Sequence, residues 1–532
     1  MTFNNERHAQ WLIGQMQKGR ISRREFLGRA GALGITATLG TTRIEDAFAA
    51  APKKGGHMRL AMGHGATTDT QDPAIIENGL QWVVAYAVAN TLTELAPNGD
   101  LLPALATEWS ASPDAKVWTF KLRKGVEFHN GKTMTADDVI ASMNHHRGKD
   151  TKSVGKPILA PVTDIRADGP DTVVFELSGG NADFPFSFNE ATFGIYPAND
   201  GKIDWQAGGS GGYIIKNNDP GVRVDFERNP NYWKDGAAHA DSVELLSIID
   251  STARNNALLT GAVDAIDQVD LKTVALISRN PAIIVEEGVG PLHYVMPMQI
   301  DVAPFDNLHL RKALKHAIDR EEMVKKILNG HGTVGNDNPI GPSYRYFAAD
   351  LEQTTYDPDK AKFHMQKSGL GDITLDLSAS DAAFSGALDA AQLFSASAKN
   401  TGININVVRE PNDGYWSNVW LKKPWCTSYW GGYATEDTMF TTGYAPGAAW
   451  NETRWKDEKF NSLLVSARAE LDTDKRKTMY HDMQRMLRDD GGVIVPMFAN
   501  GVSARNRKIA HGDISWGRAF DGRRIMERWW MV

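Results

Sequence analysis

The chain has 532 residues, 42% of them hydrophobic, and a formal charge of −7. A mildly acidic surface argues against nucleic acid as a partner, and the length allows about three domains of ~150 residues with well-buried cores. The lone cysteine, Cys426, excludes an intrachain disulfide, and nothing beyond the N-terminal segment is long and apolar enough to span a bilayer.

That N-terminal segment carries a targeting pattern. Ser22–Gly40 reads SRREFLGRAGALGITATLG, with Arg23 and Arg24 paired ahead of a weakly apolar run. The run is too short and too rich in Gly, Ala and Thr to form a permanent span. Ala47-Phe48-Ala49 follows as a small-x-small exit. This order predicts an export signal over residues 1–49, and the arginine pair fits the twin-arginine type. Arg43, near the expected cut, suits that route better than the general one. The signal carries seven basic and four acidic residues, so the remainder is three charges more negative than the whole. The cargo is expected to fold before export, to meet the twin-arginine translocase on the way, and to end free and soluble in the periplasm. With no cysteine after the signal, no lipid anchor is expected.

Further along, VWTFKLRKGVEFHNG begins at Val117. Trp118, Phe120 and Leu122 alternate with Thr119, Lys121 and Arg123, the period of a half-buried strand. Val126 and Phe128 continue the pattern, and Asn130-Gly131 closes it. Val173, Phe175 and Leu177, and then Val222, Val224 and Phe226, predict further strands. GGSGG (Gly208–Gly212) matches the nucleophile pattern G-x-S-x-G only formally. KIDWQA before it and YIIKNN after it are not the strand and helix that motif requires, so Ser210 is expected in a tight turn.

Between Phe305 and Gly330, Leu310, Leu314, Ala317 and Ile318 share one helical face, with Asp306 or Asn307 as cap. Asp319 with Glu322 caps a second helix, which carries Met323, Val324, Ile327 and Leu328 and ends at Gly330. Met479, Tyr480, Met483, Met486 and Leu487 mark another, stopped by Gly491-Gly492; a methionine stripe of this kind belongs to a core. His145 and His146 are adjacent on a helix and point about 100° apart, so they do not share one ion. His57 and His64 are isolated, and no metal site is expected. Strands interleaved with helices make an α/β protein with mixed sheets.

Several stretches together resemble one family, the extracellular solute-binding proteins of the peptide/nickel class that serve ABC importers. The best-marked is Leu92–Ser142, through Pro103, Leu105-Ala106, Trp109, Asp114, Phe120, Leu122-Arg123, Phe128, Gly131, Thr135 and Asp138-Val139. Gly209–Tyr213 is similar to the family's glycine turn, followed by Asn229–Trp233, and Phe305–Gly330 and Tyr356–Lys362 also match in order. The resemblance implies a two-lobed periplasmic-binding-protein-like fold with two crossing segments and a subdivided first lobe. Lobe I would comprise residues 50–295 and 491–532, and lobe II residues 296–490. The crossings would be Leu292–Ile300 and Val493–Phe498.

The resemblance also implies where the solute binds. Six tryptophans fall between Trp416 and Trp455, and rigid aromatic faces suit a ligand cavity. Of these, Trp416 and Trp430 are expected on the cleft wall, because family members place tryptophans similarly. Glu77, Asn78, Gly79 and Phe498 join them as candidate ligand contacts. Gly431 and Gly432 let backbone approach a ligand closely. Peptide binders of the family place an aspartate three residues after the tryptophan equivalent to Trp430, where it pairs with the peptide's α-ammonium. Here that position is Tyr433, and the nearest acids are Glu436 and Asp437. A desolvated ammonium needs a counter-charge. Either one of these acids takes over the anchoring, or the ligand has no free amine there.

The resulting expectation is a monomeric periplasmic protein that delivers a small organic solute, a peptide in the first place, to an ABC permease in the inner membrane. It would use no cofactor, no metal and no catalytic residue. The alternatives are a non-peptide solute on the same scaffold (a sugar derivative, an opine or a metal complex), an exported chaperone-like or sensory binding protein, or an exported enzyme, for which neither a nucleophile–base pair nor a metal cluster is found.

Overall fold

The computed structural model describes residues 52–532. The export signal, with Arg23 and Arg24, lies outside them. Among the described residues no helix is long and apolar enough to cross a membrane.

The largest element is a nine-stranded mixed sheet. His57–Met62 pairs in parallel with Ser242–Ser247 on one side and Ala265–Ile266 on the other. Arg223–Arg228 and Tyr213–Asp219 extend the sheet outward as antiparallel strands. On the opposite side stand two long strands, Ile283–Pro297 and Val493–Asn506, antiparallel from the Ile283–Asn506 pair to the Pro297–Val493 pair. Ser428–Trp430 adds to the first of them and Gly332–Val334 to the second.

These two long strands connect separate cores. Ile283, Val502 and Ala504 pack with Leu258, Val263 and Ile277. At the other end Met296, Ile494 and Met497 pack among Leu310, Leu314, Leu377 and Phe394. Leu292–Pro297 and Val493–Phe498 are therefore strand, continuous with the sheet on one side and buried in a different core on the other.

A four-stranded antiparallel sheet forms a further unit, in the order Ala106–Ala111, Val117–Leu122, Thr172–Leu177, Val162–Ala167. Alternation explains it, because Trp118, Phe120 and Leu122 are buried, as are Val173, Phe175 and Leu177. Their inward face meets Phe184 and Phe188, with Phe120–Phe188 edge-to-face at 5.3 Å. The strand stops at Leu122, earlier than the pattern predicts. Gly125 takes φ +73° in a turn, so Val126 and Phe128 enter the core from a loop. Val222 is half exposed in the turn before Arg223–Arg228 and not in the strand itself.

The helices carry the expected caps. Asn307 Oδ1 accepts from His309 and Leu310 N–H at the start of Leu308–Ala317. Asp319 Oδ1 accepts from Glu322 N–H to open Arg320–Ile327. Thr473–Asp490 buries Tyr480, Met483 and Leu487 in the core that also holds Phe440 and Phe460. Ser210 is wholly buried and its hydroxyl donates to Asn90 Oδ1 at 3.2 Å. The flanking Gly209 and Gly211 lie on the backbone of Val88 and Ala89, where a Cβ would stand within 2.9 Å of it. This is close packing against the end of helix Gly79–Val88.

Candidate ligand cleft

Two cavities open beside the long strand pair. The larger has a volume of about 780 Å³ and is lined by Gln268–Lys272, Ala499–Ser503, Trp516–Ala519 and Arg523. Lys326–Asn329, Ser385, Gly386, Asp389 and Tyr429 also line it, together with Tyr294 and Gly431. The smaller has a volume of about 260 Å³ and includes Tyr86, Glu190, Tyr344, Tyr433 and Arg524. The two meet at Pro291, Gly432, Trp516, Gly517 and Arg518.

The floor follows from local backbone chemistry. Ser428–Trp430 pairs with His293–Val295 and then turns at Gly431-Gly432. Gly432 has φ +81°, and a Cβ there would stand 2.2 Å from Pro291 Cβ. Only glycine allows that close approach without strain. Tyr433 N–H donates to Tyr344 Oη at 3.0 Å, which fixes the loop on the cavity edge. Tyr294 stacks on Phe384 at 4.0 Å and presents a flat aromatic floor.

Of the residues singled out from sequence, Gly431, Gly432 and Tyr433 line the cavities, and several others sit elsewhere. Trp430 is buried, and its indole N–H donates to Glu452 at 2.6 Å. Trp416 is 42% exposed beside the cleft, edge-on to Tyr429 at 5.7 Å. Trp420 also donates to Glu452, at 2.6 Å, so one buried carboxylate holds two indoles of a ladder that runs on through Trp450. Phe498 lies under the floor, packed against His293 at 5.1 Å. Asn78 caps helix Gly79–Val88, with Glu77 exposed ahead of it. Gly79 borders the cleft indirectly, since it makes room for the Arg523 guanidinium.

The two acids require a correction of placement. Glu436 is buried and accepts from Tyr346 N–H at 2.5 Å. Asp437 accepts from Arg468 Nε at 3.0 Å and points into the same interior. Both are drawn inward because they open helix Glu436–Gly443, whose buried face is theirs. Neither lines either cavity. His145 bonds Asp72 at 2.7 Å and His146 bonds Ser153 at 2.7 Å. Among the described residues no group of three or more His, Cys, Asp or Glu is placed to hold a metal ion.

Sequence reasoning missed the C-terminal wall. Arg518 packs over Trp82 at 3.8 Å from the ring centre and bonds Glu190 at 3.0 Å. Arg523 reaches the larger cavity from a turn with positive φ. The only sequence hint was the basic run Gly522-Arg523-Arg524, which an exposed tail would carry equally well.

This fold and cleft are those of a two-lobed binding protein. Residues 100–452 match the model of bacterial extracellular solute-binding proteins, family 5, middle region. The chain belongs to this family. It is 24% identical to di/tripeptide-binding protein 1 of Pseudomonas aeruginosa over 83% of this chain and 88% of that one. It is 27% identical to heme-binding protein A of Haemophilus influenzae, a match that covers 56% of this chain and 59% of that protein. Among solved structures, HbpA2 from Haemophilus parasuis superposes with a TM-score of 0.77 at 22% identity, covering 88% of this chain and 99% of that one.

Proposed function

We propose that this chain captures a small organic solute, a peptide, between its two lobes in the periplasm and hands it to an ABC permease. Binding and closure are the whole mechanism, with no bond made or broken. The observation that carries this is the cleft itself, about 780 Å³ in volume, lined by residues of the two long strands and of the segments on either side of them. That volume lies within the ~300–1,000 Å³ typical of small-molecule sites. The lobes divide at residues 295/296 and 490/491. The di/tripeptide-binding relative supports a peptide. A second reading, a non-peptide solute, is favoured by Tyr433 at the anchoring position and by the inward turn of Glu436 and Asp437.

Mass spectrometry of the ligand released from natively purified mature protein separates the two. A peptide is expected; an opine, a sugar derivative or a metal complex would favour the second reading. Export is read from Arg23 and Arg24, whose planar guanidinium pair lysine does not reproduce. Changing both to Lys should leave precursor in the cytoplasm, and wild-type export of that variant through the twin-arginine route would refute the signal assignment.

A further inference from the structure

Gly288 and Gly501 are cross-strand partners within the two long strands. Glycine in a strand interior weakens the strand and marks a place where another group approaches the backbone closely. Neither residue has a positive φ, so backbone conformation does not demand glycine at either position. What approaches is Trp516. A Cβ on Gly288 would run into Nε1, Cδ1 and Cε2 of the indole, and one on Gly501 would stand 2.8 Å from Cε3. At both positions the nearest atoms around that absent Cβ all belong to Trp516. The indole therefore lies across the strand pair, in a seat opened by two absent side chains. Gly290 extends the seat, because a Cβ there would stand 2.8 Å from the Trp516 carbonyl oxygen.

A strained turn fixes the segment that carries this tryptophan. Phe520, Asp521, Gly522 and Arg523 have φ of +53°, +55°, +64° and +70°. The left-handed region is costly for the three that are not glycine, and such strain persists only where the surroundings over-determine it. Asp521 fastens the turn. Its Oδ1 accepts from Ser515 N–H at 2.7 Å and from Arg528 Nη1 at 3.1 Å, and its Oδ2 accepts from Trp529 Nε1 at 3.1 Å. Ser515 directly precedes Trp516, so the same carboxylate that holds the turn also holds the approach to the seat.

Trp516 lines both cavities, and they meet at it. Of the four other residues at the meeting point, Pro291, Gly432 and Gly517 are small. The fourth, Arg518, is already engaged by Trp82 and Glu190. The indole is thus the large apolar group between a compartment of about 780 Å³ and one of about 260 Å³. The first alone has the size of a small-molecule site, and the second falls below that range of ~300–1,000 Å³.

We infer that Trp516 is a specificity-determining residue: its indole partitions the cleft and limits the length of the solute to what the larger compartment holds. This deepens the solute-binding reading and rests on it. A solute long enough to enter both compartments must lift the indole off its glycine seat and lose the close contacts made there. The partition acts on length and not on charge, so it discriminates among members of one chemical series.

The test uses the full mature chain and two ladders of probes, alanine peptides from dimer to hexamer and glucose oligomers from monomer to pentamer. Retention is read by native mass spectrometry and affinity by calorimetry. Along the ladder that binds, wild-type affinity should fall by about ten- to a hundredfold at one step, the cost of overfilling a packed site. Trp516→Ala should move that step to longer members, and Trp516→Phe, which keeps a flat ring, should move it less. Gly501→Ala should move it as Trp516→Ala does, because it expels the indole while leaving it in the chain. The position of the step, unlike overall affinity, does not shift with a merely structural loss. If Trp516→Ala does not fold, Gly501→Ala decides. A wild-type ladder without a step, or a step that both alanine variants leave in place, overturns the proposal and leaves solute capture standing. If neither ladder is retained the proposal falls, and solute capture falls with it only if scattering also shows no closure around the co-purified ligand.

Discussion

Glu436 opens its helix with the carboxylate turned inward onto Tyr346 N–H. Burial, partly offset by that hydrogen bond, raises its pKa from 4.5 to about 7. The protonated form is the one the fold prefers. The native state therefore pays no penalty below pH 4.5, and stability falls as pH rises from there to about 7. Glu436→Gln keeps an oxygen for Tyr346 and never ionises. The variant should gain on wild type by up to about 3 kcal/mol between pH 4 and pH 8, measured by denaturant unfolding at both values. A constant difference across that range would contradict the buried placement. The same residue shows where sequence reading stops. Glu436 and Asp437 follow a Trp-Gly-Gly-Tyr segment and look like loop acids beside a ligand. What turns them inward is Tyr346 and Arg468, each distant in sequence, and no local pattern announces such partners. Tyr433, by contrast, was legible, because a glycine pair fixes the backbone that carries it to the cavity.

At the scale of elements, the local signals were strong where two of them agreed. Leu308–Ala317 and Arg320–Ile327 combine apolar periodicity with caps at Asn307 and Asp319, and both helices are present with those caps in use. Val117–Leu122 combines alternation with a closing turn, though the turn comes earlier than the pattern suggests. The left-handed turn at Phe520–Arg523 gave no such signal, since three of its residues lack the freedom of glycine and tertiary bonds to Asp521 set its shape. Contacts between distant elements were equally hidden. Arg476, in helix Thr473–Asp490, bonds Asp183 at 2.6 Å, with both side chains less than one-tenth exposed. Burial opposes the guanidinium charge, and Asp183 more than offsets it, raising its pKa. Asp183→Asn leaves that cation buried and poorly paired, which should cost about 3–5 kcal/mol. Chemical unfolding of the variant checks this, and a loss under ~1 kcal/mol would mean that the contact opens to solvent.

For the whole molecule, order along the chain was more informative than any single motif. The succession of matched segments from Leu92 to Lys362 pointed to the family, and residues 100–452 match its model. Of the residues singled out from sequence, the segment Gly431–Tyr433 lines the cavities, whereas the C-terminal stretch Trp516–Arg523 was not singled out. The first is a compact glycine-containing segment, whereas the second reaches the cavity only by folding back from the C-terminal end of the chain. Two cores joined by paired strands suit the proposed hinge-type binder, which would be open when empty and closed around ligand. The central claim is that closure on a solute is what this chain does, and small-angle scattering of the mature protein tests it most directly. With the co-purified ligand restored at saturation, the radius of gyration should fall below that of the stripped protein. An unchanged radius at saturating ligand would contradict the account.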